Sequence, residues 1–194
     1  MGNLGSMLNM FKRIGVKASI EADPEAIRRA EKLVLPGVGA FDAAMARING
    51  VPGVLEVLRN KALTECIPVL GVCLGMQLLT RSSEEGVLAG LDWIPGITQR
   101  FPKQDGLKVP HMGWNIAFPI TPSALTQGMS GQSRYYFVHT YCVQVDDPQH
   151  SLMRSHYGLD FEAAIGRDNI YGVQFHPEKS HRFGMQILRN FAAL

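Results

Sequence analysis

Two short, wholly apolar segments, each followed by a helical pattern, most constrain the fold of this chain. They are "KLVLPGVGAF" (32–41), which contains a Pro-Gly turn, and "IPVLGV" (67–72). Strands that are apolar on both sides are typical of parallel sheets whose two faces are covered by helices. A further short strand is predicted at "VKASIEA" (16–22). Helical spacing of apolar residues predicts helices in the segments around these strands, at 4–15, 23–30, 41–50, 53–66 and 74–85.

Beyond Gly90 the pattern changes to short runs separated by Gly, Pro and Asp-Asn turns, before helical spacing returns at 183–194. Several runs alternate apolar with polar residues, which is typical of half-buried antiparallel strands. We therefore predict an α/β fold, a doubly wound and mostly parallel sheet with helices on both faces, plus an added antiparallel or mixed sheet. The absence of a linker-like segment predicts one domain over 1–194. Because a doubly wound sheet normally opens with a strand, we expect a first strand to be missing from the N-terminus.

Charge and cysteine content exclude several classes of function. The formal net charge is only +2, and the basic residues are scattered, so nothing favours binding to nucleic acid or to an anionic membrane. No apolar run approaches the roughly 18 residues of a membrane span. The three cysteines contain no C-x-x-C pair, which argues against a disulfide framework, a zinc site or another metal centre. These features favour a reducing, cytoplasmic setting.

The segment Gly71-Val72-Cys73-Leu74-Gly75 has the strand–turn–helix form of a nucleophile elbow. A sharp turn places the central residue in a strained conformation, and the flanking glycines remove side chains that would collide with their neighbours. The N–H groups at the start of the following helix favour the reactive thiolate of Cys73. The Leu74 amide would then donate to an oxyanion. The alternative is that Cys73 is a small buried residue at a tight turn.

A base for this nucleophile is predicted at His176, which follows the strand "IYGVQF" and opens "HPE". Residues i and i+2 of an extended segment face the same side, so Glu178 can orient the imidazole and stabilise its charged form. Pro177 keeps His176 extended. An isolated H-P-E would more often be a solvated strand end, but together with the elbow it predicts a Cys73–His176–Glu178 triad.

The segment Pro36-Gly37-Val38-Gly39 ends the other strong strand. Its glycines allow close backbone approach, and ligands bind at the carboxyl edge of open α/β sheets. We interpret it as a second wall of the oxyanion site. A phosphate-binding loop is the alternative, but the segment has neither G-x-G-x-x-G nor a Walker lysine.

Six segments, in this order, resemble those of class I glutamine amidotransferases. More narrowly, the chain resembles the glutaminase subunits of imidazole glycerol phosphate synthases, over nearly its whole length. The opening "MGNLGS" resembles the loop that follows the first strand of that family. The six segments are "LPGVGAF", "GVCLGMQLL", "SSEEG", "KVPHMGWN", "YYFVHTY" and "GVQFHPEKS".

The resemblance implies hydrolysis of glutamine to glutamate and ammonia through a glutamyl thioester on Cys73, without a cofactor. It also implies a partner, a (β/α)8-barrel cyclase subunit that forms a heterodimer with the chain and receives the ammonia through a channel. That complex makes imidazole glycerol phosphate and AICAR in histidine biosynthesis. Unhydrated transfer is needed because ammonia in neutral water is mostly protonated and no longer nucleophilic.

The resemblance also implies roles for residues on the matching segments. The oxyanion would be held by Leu74, Val38 and Gly39. Glutamine would be bound by Gly37, Gln77, Glu85, His139, Thr140 and Tyr141, with Gln77 and Glu85 on its α-amino and carboxylate groups. The partner would be contacted by Asn3, Pro110, His111, Met112, Trp114, Tyr136 and Lys179.

Three other functions stay open at this point. A paralogous group uses the same glutaminase half-reaction to supply ammonia for amino sugars of surface polysaccharide. A Cys peptidase that cleaves γ-glutamyl bonds could use the same triad. A non-catalytic binding module is disfavoured, because Cys73, His176 and Glu178 are all present.

Overall fold

A computed structural model describes residues 4–37 and 39–194. Within them, no helix is long and apolar enough to cross a membrane. The α helices are α1 (Leu4–Arg13), α2 (Pro24–Arg28), α3 (Phe41–Gly50), α4 (Val54–Arg59), α5 (Leu74–Leu78) and α6 (His181–Ala193). The strands are β1 (Leu33–Gly37), β2 (Val69–Cys73), β3 (Gly96–Arg100), β4 (His111–Pro119), β5 (Arg134–His139), β6 (Tyr141–Val145), β7 (Ser151–Tyr157), β8 (Leu159–Arg167) and β9 (Ile170–Val173).

The main sheet has seven strands in the order β1-β2-β9-β8-β7-β4-β5. Strands β1, β2 and β9 are parallel, and the remaining pairs are antiparallel. A second, two-stranded antiparallel sheet is formed by β3 and β6. The predicted α/β fold is confirmed. The main sheet is mixed, and its parallel pairing is confined to β1, β2 and β9, which end near Cys73.

Helices cover both faces of the parallel strands, as the apolar strands require. One apolar cluster joins α1 and α6 to the face that carries Leu70 and Val72. The other joins α3, α4 and α5 to the opposite face, which carries Val69. Alternate residues of β2 therefore point into two separate cores, which explains why this strand is apolar throughout.

Two sequence-based predictions of secondary structure are wrong. Residues 16–22 do not form a strand; most of them are exposed, and they pair with no other strand of the described chain. The helix predicted over 74–85 ends at Leu78. The carbonyls of Leu78 and Leu79, which would continue the helix, accept hydrogen bonds from another segment instead. Leu91 N–H donates to Leu78 O, and Trp93 N–H donates to Leu79 O. Tertiary hydrogen bonds therefore end a helix that spacing alone would extend.

Candidate functional site

The elbow predicted around Cys73 has the expected strained backbone. Cys73 ends β2 with φ 55° and ψ −111°, immediately before α5. A non-glycine residue held in a sparsely populated backbone region costs on the order of 1–3 kcal/mol, and such residues cluster at active sites. A Cβ on Gly75 would collide with the Leu35 carbonyl, and one on Gly71 with the Gly75 carbonyl. Strand and helix therefore meet backbone to backbone, and the tight turn places the half-buried thiol at the carboxyl end of β2.

The ends of the parallel strands bring the predicted wall of the oxyanion site beside the thiol. Gly37 pairs with Cys73 in the β1–β2 register. A Cβ on Gly37 would collide with the Leu74 and Gly75 amide nitrogens, so the loop after β1 begins directly against the start of α5. Gly39 has a φ of 96°. The predictions for Val38 and Asn3 fall outside the described residues.

His176 lies between Cys73 and Glu178. Its Nδ1 is 2.9 Å from Glu178 Oε1, and the two side chains are only 10% and 4% exposed. Because a carboxylate accepts, Nδ1 carries the proton and Nε2 is left for the sulfur. Burial opposes the charged imidazole, but the hydrogen bonds and charges of Cys73 and Glu178 outweigh it and raise the pKa of His176 to about 9. These contacts thus favour the protonated imidazole of His176 beside the Cys73 sulfur.

The raised pKa of His176 predicts how activity depends on pH. We expect kcat/KM for glutamine to fall as pH rises through about 9, because His176 then loses the proton that a leaving group needs. Glu178→Gln removes a charge that favours the imidazolium, so the alkaline limb should move to lower pH. The exposed Glu56→Gln is the control and should leave the profile unchanged. An alkaline limb that stays in place in Glu178→Gln would contradict this account.

Three of the residues predicted to bind glutamine, Gln77, His139 and Tyr141, are engaged with one another in this structure. Gln77 is buried, and its Nε2 donates to Tyr141 O at 3.2 Å and to Gln174 Oε1 at 3.1 Å. His139 is also buried, with its Nδ1 2.8 Å from the same Tyr141 carbonyl. Thr140 is half-buried. The Tyr141 carbonyl therefore joins two of the predicted glutamine-binding side chains.

Glu85, predicted to bind the substrate, holds the start of α3. Its Oε2 accepts from Phe41 N–H at 2.9 Å, and the residue preceding this helix supplies no side-chain cap. In the opposite direction, the Asp42 carboxylate accepts from Val87 N–H and Leu88 N–H at 3.0 Å. These reciprocal bonds join the loop 83–88 to the helix that follows the 37–39 loop.

Loss of the Asp42 carboxylate should loosen this junction. We expect Asp42→Ala to raise KM for glutamine by about threefold or more and to change kcat less. The variant loses hydrogen bonds to a charged group, worth ~1.5–3 kcal/mol, that hold the loop 83–88. This loop carries Glu85, which is predicted to bind the substrate. Asp105→Ala, in an exposed loop, is the matched control. Steady-state kinetics of both variants test the expectation, and an unchanged KM in Asp42→Ala would count against it.

A set of partner-facing residues predicted from the sequence forms an exposed aromatic patch. Met112 is 62% and Trp114 46% exposed. The Trp114 and Tyr136 rings meet edge to face, with centroids 6.0 Å apart, and Lys179 Nζ lies 5.4 Å from the Tyr136 ring centre. Pro110 is exposed as well. The patch lies next to the segment that carries His176 and Glu178.

His111 does not fit the surface role predicted for it. Its side chain is only 2% exposed and lies between the rings of Phe137 and Tyr157, at centroid distances of 4.9 and 4.1 Å. Successive residues of a strand face opposite sides of the sheet. Because the Met112 side chain faces the surface, the His111 side chain faces the core. His111 is therefore part of the interior.

Three further residues of this region were not singled out from the sequence. They are Gln174, Asp42 and His181, which stacks on Trp114 at 5.3 Å. Gln174 could have been found, because it is polar within an apolar strand and two residues before His176. The contacts of Asp42 and His181 join distant segments and leave no local signal. Within the described ranges, no group of three or more potential ligands could hold a metal ion.

Comparisons with known proteins agree with this geometry. The family model described as "Glutamine amidotransferase class-I" matches residues 6–194. Imidazole glycerol phosphate synthase subunit HisH 2 of Pseudomonas aeruginosa is 49% identical over 100% of this chain and 96% of its own length. The protein of that name from Methanococcus maripaludis is 48% identical over 98% and 94%.

Solved structures share the fold at low sequence identity. A crystal structure of a glutamine amidotransferase superposes with a TM-score of 0.73 at 16% identity, over 99% of this chain and 93% of the other. The glutaminase domain of Trypanosoma brucei CTPS, with bound acivicin, gives 0.65 at 16% identity, over 97% and 88%.

Proposed function

We infer the function from the family: this chain belongs to the class I glutamine amidotransferases, and within them to the HisH subunits of imidazole glycerol phosphate synthase. It is an amidotransferase enzyme and a subunit, so it acts with at least one partner subunit. We propose that it hydrolyses glutamine to glutamate and ammonia and supplies the ammonia for histidine biosynthesis. The observation that carries this proposal is His176, held between Cys73 and Glu178.

In the first half-reaction the Cys73 thiol gives its proton to His176, and the sulfur attacks the side-chain carbonyl carbon of glutamine. The carbonyl π electrons move to the oxygen, where the Leu74 amide, with Val38 and Gly39, would stabilise the negative charge. As the C–N bond breaks, His176 delivers its proton to the nitrogen, and ammonia leaves. A glutamyl thioester remains.

In the second half-reaction a water molecule takes the place of ammonia. His176 accepts a proton from this water as its oxygen bonds to the thioester carbon, and the C–S bond then breaks. The products are glutamate and the Cys73 thiolate with a protonated His176. Glu178 holds one imidazole orientation throughout, which both proton transfers require.

We propose that the partner is a (β/α)8-barrel cyclase and that it docks on the exposed aromatic patch of Met112, Trp114, Tyr136 and Lys179. Aromatic residues with an apolar core and a charged rim are typical of specific interfaces. Docking there would cover the segment that carries His176 and would let ammonia pass to the partner without protonation in water.

A titration with the cyclase subunit tests this proposal. We expect the chain alone to hydrolyse glutamine slowly, and the partner with its own ligand bound to raise the rate. Trp114→Ala should weaken partner binding by about tenfold or more, as loss of a central aromatic residue usually does. Phe118→Ala, 39% exposed on the same strand, is the matched control. Equal affinities for the two variants would place the interface elsewhere.

The choice of assay separates the alternatives. Release of ammonia and glutamate from glutamine supports the amidotransferase, whereas cleavage of γ-glutamyl peptides with no action on glutamine would identify a peptidase. The amino-sugar paralogue shares the half-reaction on glutamine. Formation of imidazole glycerol phosphate by the reconstituted complex supports the histidine pathway over it.

A further inference from the structure

The proposed mechanism makes no use of Gln174, although this side chain lies inside the candidate site. It is 0% exposed and follows β9, two residues before His176. Burying a primary amide is costly unless its oxygen and its N–H groups find partners. The hydrogen-bond partners of Gln174 therefore determine where its side-chain oxygen and its side-chain nitrogen lie.

Hydrogen-bond chemistry fixes the orientation of Gln174. The Tyr141 carbonyl can only accept, so the part of Gln77 that faces it at 3.2 Å must be the amide nitrogen. The same nitrogen lies 3.1 Å from the Gln174 side chain, which must present its oxygen there. The Gln174 nitrogen is consequently turned to Cys73, with Nε2 3.8 Å from Sγ. This direction follows from the carbonyl and does not depend on telling nitrogen from oxygen in either amide.

Two buried histidines extend the network from the same carbonyl. His139 Nδ1 lies 2.8 Å from Tyr141 O and must carry a proton. In a neutral ring Nε2 then accepts, and His111 Nδ1 donates to it at 3.0 Å. His111 Nε2 accepts in turn from Asn115 Nδ2 at 3.3 Å. Each N–H in this series, from Asn115 through His111 and His139, thus donates toward the Tyr141 carbonyl.

Burial keeps both rings neutral. It lowers the pKa of His111 to about 4 and that of His139 to about 3. His111 is also fixed by stacking between Phe137 and Tyr157. The tautomers, and with them the direction of the network, are therefore the same throughout the neutral pH range.

The sulfur of Cys73 contacts both an acceptor and a donor. The acceptor is the Val138 carbonyl, 3.8 Å away, to which a thiol can donate. The donor is the Gln174 amide. A thiolate has no proton for the carbonyl, and it accepts N–H bonds more strongly than a thiol does, because such bonds are charge-assisted. The donor therefore favours the thiolate over the thiol.

We propose that Gln174 is a further catalytic residue, whose amide N–H stabilises the Cys73 thiolate, and that His139 and His111 are positioning residues that hold the Tyr141 carbonyl, from which the orientation of Gln174 follows. The proposal rests on the proposed function, since it requires Cys73 to react as a thiolate. No proton leaves Gln174: the thiol proton goes to His176, and the N–H remains a donor until the sulfur loses its charge in the thioester.

Gln174→Met tests the role of the amide, because it keeps most of the side-chain volume and removes the donor. We expect kcat for glutamine to fall by about 10- to 100-fold in the complex with the partner, and KM to change less than about threefold, as for loss of a bond to a charged group. Alkylation of Cys73 by iodoacetamide at neutral pH should also become slower. Gln186→Met, on α6, is the matched control and should behave as the unsubstituted protein does.

The outcomes separate this proposal from the function on which it rests. A folded Gln174→Met protein with unchanged kcat and an unchanged alkylation rate overturns the role of Gln174 and leaves the glutaminase assignment standing. Failure of the unsubstituted complex to hydrolyse glutamine overturns both. If Gln174→Met does not fold, Gln174→Glu, which also removes the N–H donor, is assayed in its place, and we expect the same fall in kcat; an unchanged kcat would overturn the role of Gln174. ¹⁵N NMR of the unsubstituted chain tests the positioning residues: we expect neutral His111 and His139 with the proton on Nδ1. A proton on Nε2 of His139 would contradict the network.

Discussion

Cys73→Ala should abolish glutamine hydrolysis, with kcat reduced by a factor of about 10³ or more, as expected when the nucleophile of a triad is removed. No other thiol of the chain can replace Cys73 as the nucleophile. Cys142 is buried, and Cys66 is exposed, well before the carboxyl end of β2. The measurement is release of glutamate and ammonia by the complex.

Cys66→Ala is the control for this variant and should retain the activity of the unsubstituted complex. Binding of the partner should also survive in Cys73→Ala, because the exposed aromatic patch is unaltered. Hydrolysis at the normal rate by the folded Cys73→Ala complex would rule out the proposed mechanism.

Gly75→Ala should have the largest effect on folding. The new Cβ would overlap the Leu35 carbonyl, and backbone on both sides leaves no flexible side chain that could move away. We expect the free energy of unfolding to fall by more than about 3 kcal/mol, beyond the usual range for a single substitution. Denaturant unfolding of the purified chain measures it.

Gly50→Ala provides the matched control, because a Cβ at this last residue of α3 meets nothing within 4 Å. It should leave stability unchanged or raise it slightly, since Ala is the better helix former. Equal stabilities of the two variants would show that the strand and the helix of the elbow can separate without cost.

The elements of the site that are local in sequence could be predicted. The elbow around Cys73 needs a strand, a strained residue and small neighbours, and all of these lie within a few positions. The same holds for His176 and Glu178, whose i, i+2 spacing alone puts them on one side of an extended segment. The 33–37 strand pairs in parallel with the Cys73 strand, which is typical of apolar strands joined through helices.

Contacts between distant segments could not be predicted. Gln77 and Gln174 are 97 residues apart, and His111 and His139 are 28 apart. Nothing in the local pattern of either pair says that the side chains meet. His111 was misplaced for this reason: its segment reaches the surface at Met112 and Trp114, while its own ring points into the core. The helix after Cys73 was predicted too long, because distant N–H groups occupy its carbonyls.

Covalent labelling of the unsubstituted complex by a glutamine-analogue chloroketone tests the central claim most directly. The Cys73 sulfur would displace chloride and form a thioether, which intact-mass measurement counts and peptide mapping locates. The account predicts a single adduct, on Cys73, whose formation glutamine slows. An adduct on Cys66 instead, or none in a complex that hydrolyses glutamine, would contradict it.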